Sequence, residues 1–293
     1  MTLWDCVAAA IAEATQRPFR LHAHAPVSGG DINRSQRLEG ADGSRYFLKL
    51  NDARHTAMFA AEAAGLAALA ATHTLRVPRV IAYGAAQGHS YLVLEHLDLH
   101  ARGDARRLGT QLAALHRCTA ERYGFTQDNF IGSTPQPNGW RDDWVTFWCE
   151  QRLGHQLNLA QRNGHGGELQ RLGARLMQAL PAFFEGYTPR PSLLHGDLWG
   201  GNHGYLADGT PVIFDPAAHY GDRECDLAMT ELFGGYPAGF YTGYRETWPL
   251  DAGYARRREL YQLYHILNHA HLVGGGYARQ AEGMMQRLLR LHD

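Results

Sequence analysis

The chain is poor in cysteine, carries no excess of charge of either sign and has no long apolar run, and each shortage removes a class of protein. Its 4 cysteines, Cys6, Cys118, Cys149 and Cys225, stand far apart with no C-x-x-C pair. Neither a disulfide framework nor a zinc knuckle is indicated, and a reducing, cytoplasmic setting is expected. The 28 Lys and Arg against 29 Asp and Glu leave a formal net charge of -1. No large field draws such a chain to nucleic acid or to an anionic membrane, so the expected partner is a small molecule. No apolar stretch approaches the roughly 20 residues that span a bilayer. The opening MTLWDCVAAAIAEATQRP places Asp5 and Glu13 where a signal peptide would carry positive charge and then an unbroken apolar core, and it reads as an amphipathic helix. Internal repeats and low-complexity tails are likewise missing.

What is there suits two lobes, since 293 residues can bury two cores. The segment from Leu21 to Leu50 alternates in hydrophobicity and is interrupted by SGGDIN and by Ala41-Asp42-Gly43, which predicts three strands joined by a Gly-containing loop and a hairpin turn. A helix is predicted over Ala53 to Ala71, followed by strand-like VPRVIAYG and YLVLEHL. Beyond Asp98 the pattern turns helical, starting from an N-cap candidate at Asp104 and continuing with helices from near Arg141 and over Glu168 to Phe184. Short strands return between Leu193 and Phe214, and helices again from Arg223 to Leu291. The expected fold is α+β and bilobal: a small β-rich lobe with one main helix over residues 1–97, and a larger, mostly helical lobe over residues 98–293.

The strongest chemical signal is His195-Gly196-Asp197-Leu198-Trp199-Gly200-Gly201-Asn202 followed by Ile213-Phe214-Asp215-Pro216-Ala217. Phosphoryl transfer needs a hard-oxygen Mg²⁺ site and a residue that orients the attacking hydroxyl. An Asp, a carboxamide five positions later and a second Asp 18 positions after the first supply both, in the order that kinases use. Any one of these tripeptides alone would be an ordinary turn; their joint spacing argues against that. Upstream, Lys49 in the strand-like YFLKL can hold the phosphates of ATP, and Glu62, 13 residues later in the predicted helix, can pair with it. Gly29 and Gly30 belong to a turn that can cover phosphates with backbone N–H groups, although it lacks G-x-G-x-x-G and reads equally well as a plain hairpin.

HGDLWGGN, DPAAHYGDRECDLAM, FLKL and NGWRDDWVTFWCEQRL together resemble the fructosamine kinase family, which includes ketosamine 3-kinases. The resemblance runs from SGGDIN to LYQLYHILNHAH and implies a protein-kinase-like fold related to the aminoglycoside phosphotransferases. It implies transfer of the ATP γ-phosphate to the 3-hydroxyl of a ketosamine, a ribulosamine or fructosamine or a glycated lysine on protein, after which the phosphate eliminates and the amine is freed. By position it makes Asp197 the catalytic aspartate, Asn202 and Asp215 the Mg²⁺ ligands, Lys49 and Glu62 the phosphate-binding pair, and Glu95 and Leu97 the hinge whose backbone meets adenine. Trp199 and His269 become substrate contacts, with a packed core aromatic and a hydrogen-bonded core histidine as the competing readings.

The sequence departs from relatives at two places. Asp31 stands where some eukaryotic members carry a glycine-loop cysteine, so no thiol switch is expected. Ala217 replaces the glycine of the protein-kinase D-F-G motif, which argues against a flipping metal loop. His265 and His269 lack the glutamate of H-E-x-x-H, which disfavours zinc. Gly274-Gly275-Gly276 reads as a helix stop. Whether Arg223, Glu224 and Asp226 touch substrate or brace the catalytic loop stays open, with Asp226 favoured as a brace and helix cap. Another small-molecule kinase, acting on an aminoglycoside or a choline-like alcohol, remains the alternative; a nucleotide-binding pseudokinase is a further one. A monomer or weak homodimer is expected.

Overall fold

The structure, a computed structural model, describes residues 1–27 and 32–291. The chain divides into two compact units, the first made of residues 1–104 and 204–215, the second of residues 105–203 and 216 onward. The sequence pattern alone draws a single division near residue 98. The structure adds a second passage of the chain to the N-terminal unit, because the hairpin of His203–Tyr205 and Pro211–Ile213 finds its backbone partners there. Tyr205 exchanges hydrogen bonds with His100 (2.8 and 3.0 Å), and the Ile213 N–H donates to the Arg76 carbonyl (3.0 Å).

In the first unit, helix α1 (Leu3–Thr15) starts on a capping box: the Asp5 N–H donates to the Thr2 hydroxyl (3.2 Å) and the Thr2 N–H to the Asp5 carboxylate (2.7 Å). Five strands, β1 (Leu21–Pro26), β2 (Arg34–Gly40), β3 (Arg45–Asp52), β4 (Val80–Ala86) and β5 (His89–Glu95), form one antiparallel sheet in the order β1-β2-β3-β5-β4. The turn between β2 and β3 closes at Gly43, φ +80°, with the Ser44 N–H on the Asp42 carboxylate (3.0 Å). Along β3, Leu48 and Leu50 join Val7 and Ile11 of α1 in the core together with Leu38, Ile81 and Val93. Side chains alternate across a strand, so Lys49, between the two leucines, points to the opposite face. The Ala-rich helix α2 (Thr56–Ala71) lies on that face, packed against β4 and β5.

The second unit is built from α3 (Ala105–His116), α4 (Trp144–Trp148), α5 (Gly154–Arg162), α6 (Glu168–Phe183), α7 (Glu224–Thr230), α8 (Ala238–Thr247), α9 (Tyr254–Leu272) and α10 (Tyr277–Arg290), with a short hairpin of Asn129–Ile131 and Thr134–Gln136 and an antiparallel pairing of Ser192–Leu194 with His219–Gly221 between them. The helix expected from Arg141 begins at Trp144, because Asp143 is extended and its carboxylate accepts the Thr146 N–H (2.7 Å) as an N-cap. One π-turn, Cys149–Leu153, then joins α4 to α5. Trp144, Phe147 and Trp148 reach the core, where they pack with Tyr123, Tyr261 and Tyr264. α9 stops where sequence places the stop, at Gly274 and Gly275, φ +74° and +63°. No helix of the described residues is long and apolar enough to cross a membrane.

α7 is tied to α9 by a buried fork: the Arg257 guanidinium donates to both Glu224 oxygens (2.7 and 3.0 Å) and also to Asp251 (2.6 Å). Glu224 is thus committed inside the unit, as is Arg223, which donates to the carbonyls of Trp248 (3.0 Å) and Pro249 (2.5 Å) and lies over the Trp248 ring. Removing one partner of a buried ion pair leaves the other uncompensated, so Arg257→Ala is expected to cost about 3–5 kcal/mol of stability. Chemical denaturation of the variant against the parent measures it, and a loss below 1 kcal/mol would contradict the assignment.

Candidate active site

The polar residues that the sequence singles out fall into two groups, one in each unit. In the first unit, the register that turns Lys49 toward α2 places its Nζ 2.6 Å from Glu62 Oε1 and 2.5 Å from Asp215 Oδ1. Lys49 is buried and the Glu62 side chain is only 11% exposed, while the Asp215 side chain is 41% exposed. Burial works against the Lys49 ammonium, but the charges of Asp215 and Glu62 overcome it, and its pKa stands above the ordinary lysine value. Burial pushes the Glu62 carboxyl up, with Lys49 pulling against it. Asp215 has left-handed backbone, φ +58°, a conformation that costs free energy in any residue bearing a Cβ. At the end of β5, the Glu95 carboxylate holds Arg76 (2.6 Å) and accepts the Arg79 N–H (2.5 Å), and the Glu95 N–H donates to the Arg79 carbonyl (2.9 Å). This anchors the strand just before Leu97. Gly29 and Gly30, the glycines of the expected phosphate turn, lie outside the described residues, as does Asp31.

In the second unit, the loop from His195 to Asn202 is held from inside. The Asp226 carboxylate, fully buried on α7, accepts the N–H groups of His195 (2.7 Å) and Gly196 (2.8 Å) and meets Nε2 of His116 (3.1 Å). Burial by itself would raise this carboxyl; the hydrogen bond and charge of His116 and the Gly196 N–H outweigh that and hold it below the usual carboxylate value. Asp226 is therefore a brace of the loop and not a helix cap. Just ahead of α7, whose N-cap position is Arg223, Asp222 Oδ1 accepts the Glu224 N–H (3.0 Å). Gly196 has φ +85°, and a Cβ there would come within 2.1 Å of the Ala217 carbonyl oxygen, so only glycine fits. The Ala217 N–H donates to the His195 carbonyl (2.9 Å), joining the two motifs.

Within the loop, Asn202 Nδ2 donates to the Asp197 carbonyl (2.9 Å) and lies 3.5 Å from its carboxylate. The Asp197 N–H donates to Nδ1 of His195 (3.2 Å). Trp199 is 42% exposed, and its ring lies over Gly201 so closely that a Cβ there would meet it at 2.2 Å. His269, on α9, is half-buried, with Nδ1 on the His265 carbonyl (2.8 Å) and its ring between Phe233 and Tyr277. His265 is buried, and burial pushes its pKa to about 3.

Sequence reasoning missed a buried amide network beneath the Ala217 segment. Gln136 donates to the Ala217 carbonyl (3.2 Å) and to Asn129 (2.7 Å), Asn129 to the Ala218 carbonyl (2.8 Å), and Arg152 of the π-turn to Asn138 (2.7 Å). The Tyr264 hydroxyl completes it on Gln136 (2.6 Å). His116 was missed as well. It lies 110 positions from Asp226 and belongs to no local motif, so only the folded chain pairs them.

Asp226→Asn keeps the shape of the side chain but sets an amide against N–H donors. We expect a loss of roughly 3 kcal/mol near neutral pH, as charged-group hydrogen bonds disappear. Because the folded pKa of Asp226 is depressed, its contribution is present above the unfolded value and is lost as pH falls through the folded one. The stability gap between parent and variant should therefore close in strong acid, as read from melting curves across pH; a constant gap would contradict the charge of Asp226.

The comparisons with known proteins agree with one another. The sequence profile described as fructosamine kinase matches residues 3–291. A "probable ketoamine kinase" of Synechocystis sp. is 49% identical over 98% of this chain and 97% of its own length. A chloroplastic protein-ribulosamine 3-kinase of Arabidopsis thaliana is 41% identical over 90% of this chain and 82% of its own. Among solved structures, a "putative fructosamine-3-kinase" of Haemophilus somnus superposes with a TM-score of 0.89 at 30% identity, covering 98% of this chain and 100% of that one. Antibiotic kinases at 11–18% identity and TM-scores of 0.52–0.62 share the fold, which is α+β and protein-kinase-like. With a family match across nearly all of its length and relatives this similar, the chain belongs to the fructosamine kinase family.

Proposed function

We propose that this protein transfers the γ-phosphoryl group of ATP to the 3-hydroxyl of ketosamines, ribulosamines or fructosamines formed on amines, including glycated lysine. The observation that carries the reading is the HGDLWGGN loop, with Asp197 and Asn202 joined by hydrogen bonds and held from within by Asp226, in a chain of this family. Asp197 orients the acceptor hydroxyl and takes its proton. Lys49, held by Glu62, binds the ATP phosphates, and the stretch from Glu95 to Leu97 meets adenine. Trp199 and His269 contact the acceptor.

Asn202 and Asp215 fit Mg²⁺ by the chemistry of their donors. Asn202 spends Nδ2 on the Asp197 carbonyl, so Oδ1 is its acceptor end, and the Asp215 carboxylate stays partly exposed despite its ion pair. Mg²⁺ takes one or two such hard oxygens and fills its other positions with water and phosphate. The ion supplies charge neutralisation on the phosphates. The protein's part is positioning, since phosphoryl transfer asks for little covalent chemistry. In the product, the carbonyl at C2 lets the 3-phosphate leave by elimination through the 1,2-enaminol, and hydrolysis then frees the amine. The reaction therefore reverses glycation.

Two outcomes are expected. With Mg²⁺ and labelled ATP, the protein phosphorylates fructoselysine or ribuloselysine and leaves choline and an aminoglycoside unlabelled, while Asp197→Asn lowers kcat by roughly 10²–10⁴-fold. Ketosamine turnover no greater than that of the variant would end the proposal. Asp215→Ala should abolish the Mg²⁺-dependent part of nucleotide affinity in calorimetry; equal affinity with and without the substitution would mean that the metal is held elsewhere.

A further inference from the structure

Trp199 and His269 lie far apart in sequence, yet one loop of the second unit touches both. Between α7 and α8, the Tyr236 hydroxyl donates to the Trp199 carbonyl (3.1 Å), and the Tyr236 ring packs on His203 with centroids 4.4 Å apart. Three residues earlier, the Phe233 ring packs on the imidazole of His269 at 4.7 Å, with Tyr277 next to the same imidazole at 5.2 Å.

Phe233 is held there against two local preferences. Its backbone is left-handed, φ +54°, followed by Gly234 and Gly235 at +105° and +75°, so one Cβ-bearing residue sits in a run whose conformation suits glycine. Its ring is also 42% exposed, forgoing the burial that a phenyl group would gain in the core. Neither feature stabilises the fold, and both present an aromatic face beside the proposed acceptor contacts. The acid nearest in this loop, Glu231, is already committed to Tyr254 (2.6 Å) and Arg258 (2.8 Å).

We propose that Phe233 is a specificity-determining residue, whose ring receives the protonated secondary amine of the ketosamine by a cation–π contact. The inference rests on the ketosamine reading above. A ketosamine differs from a plain ketose in that charged nitrogen, and an aromatic face attracts a cation without the desolvated carboxylate that would also attract inorganic cations. The loop then couples recognition of the amine to placement of the sugar, since Tyr236 holds the backbone of Trp199.

The test compares fructoselysine with its analogue carrying an ether oxygen in place of the nitrogen, at saturating ATP, in the parent enzyme and in Phe233→Tyr, Phe233→Leu and Phe233→Ala. Phe233→Tyr should stay within about twofold of the parent, while Leu and Ala raise KM for fructoselysine roughly tenfold, leave kcat unchanged and barely alter KM for the ether. Equal effects of Leu on both acceptors, or no effect on either, would overturn the proposal, because the ring would then act by shape alone or not at all. Melting curves confirm that each variant is folded. If the parent turns over neither compound, the ketosamine reading fails by itself, and calorimetric binding of the two compounds to the parent and to Phe233→Leu still decides the role of Phe233.

Discussion

A carboxylate that no solvent reaches, Asp226, accepts two consecutive backbone N–H groups at His195 and Gly196 and a third contact from His116. Loops ordinarily run over the surface because their backbone polar groups need partners. Here a charged acceptor supplies them from inside, so the loop that carries Asp197 and Asn202 can be rigid without belonging to a strand or helix. Gly196 follows from the same constraint: the chain approaches Ala217 so closely that no side chain is possible. The amide network through Gln136, Asn129 and Asn138 performs the same service for the Ala217–Ala218 backbone. A buried network of this kind is stabilising only when its members are satisfied.

The first unit contains a different expenditure. Lys49, Glu62 and Asp215 place one cation between two carboxylates, mostly out of water. Desolvating charges costs several kcal/mol per ion, and an apolar replacement of similar volume would commonly serve stability as well or better. On the function proposed above, the arrangement serves a polyanion: the lysine stays charged through the whole neutral range and Glu62 aims it. The left-handed backbone at Asp215 belongs with it, since strain of this sort persists where surrounding structure over-determines it.

The second unit also carries exposed aromatic surface. Trp199 and Phe233 are exposed large rings of the second unit, and each is connected to the other's neighbourhood by the segment from Phe233 to Tyr236. Glycines at 201, 234 and 235 let the backbone lie beneath a ring or bend away from one. Rigid aromatic faces recognise sugars and alkylammonium groups with little entropic loss, because few torsions need to be ordered.

The sequence by itself determined the kinds of element that carry Lys49, Glu62, Asp197, Asn202 and Asp215. Alternation around Lys49, the helical spacing around Glu62, and the Asp197-Asn202-Asp215 order are all local, and local pattern survives in a one-dimensional reading. So do the Asp42-Gly43 turn and the stop at Gly274 and Gly275. Three matters were decided only by tertiary structure. The hairpin at 204–215 joined the first unit because its backbone partners are at His100 and Arg76, over a hundred residues earlier. The helix that starts at Trp144 passed through a π-turn that places the buried Arg152 against the buried Asn138. Asp226 became the brace of the loop from His195 to Asn202, and Arg223 and Glu224 became structural, through partners that no spacing rule connects. The physical reason is common to all three: a buried polar group must find its complement wherever the fold brings one, and that choice is made in space and not along the chain.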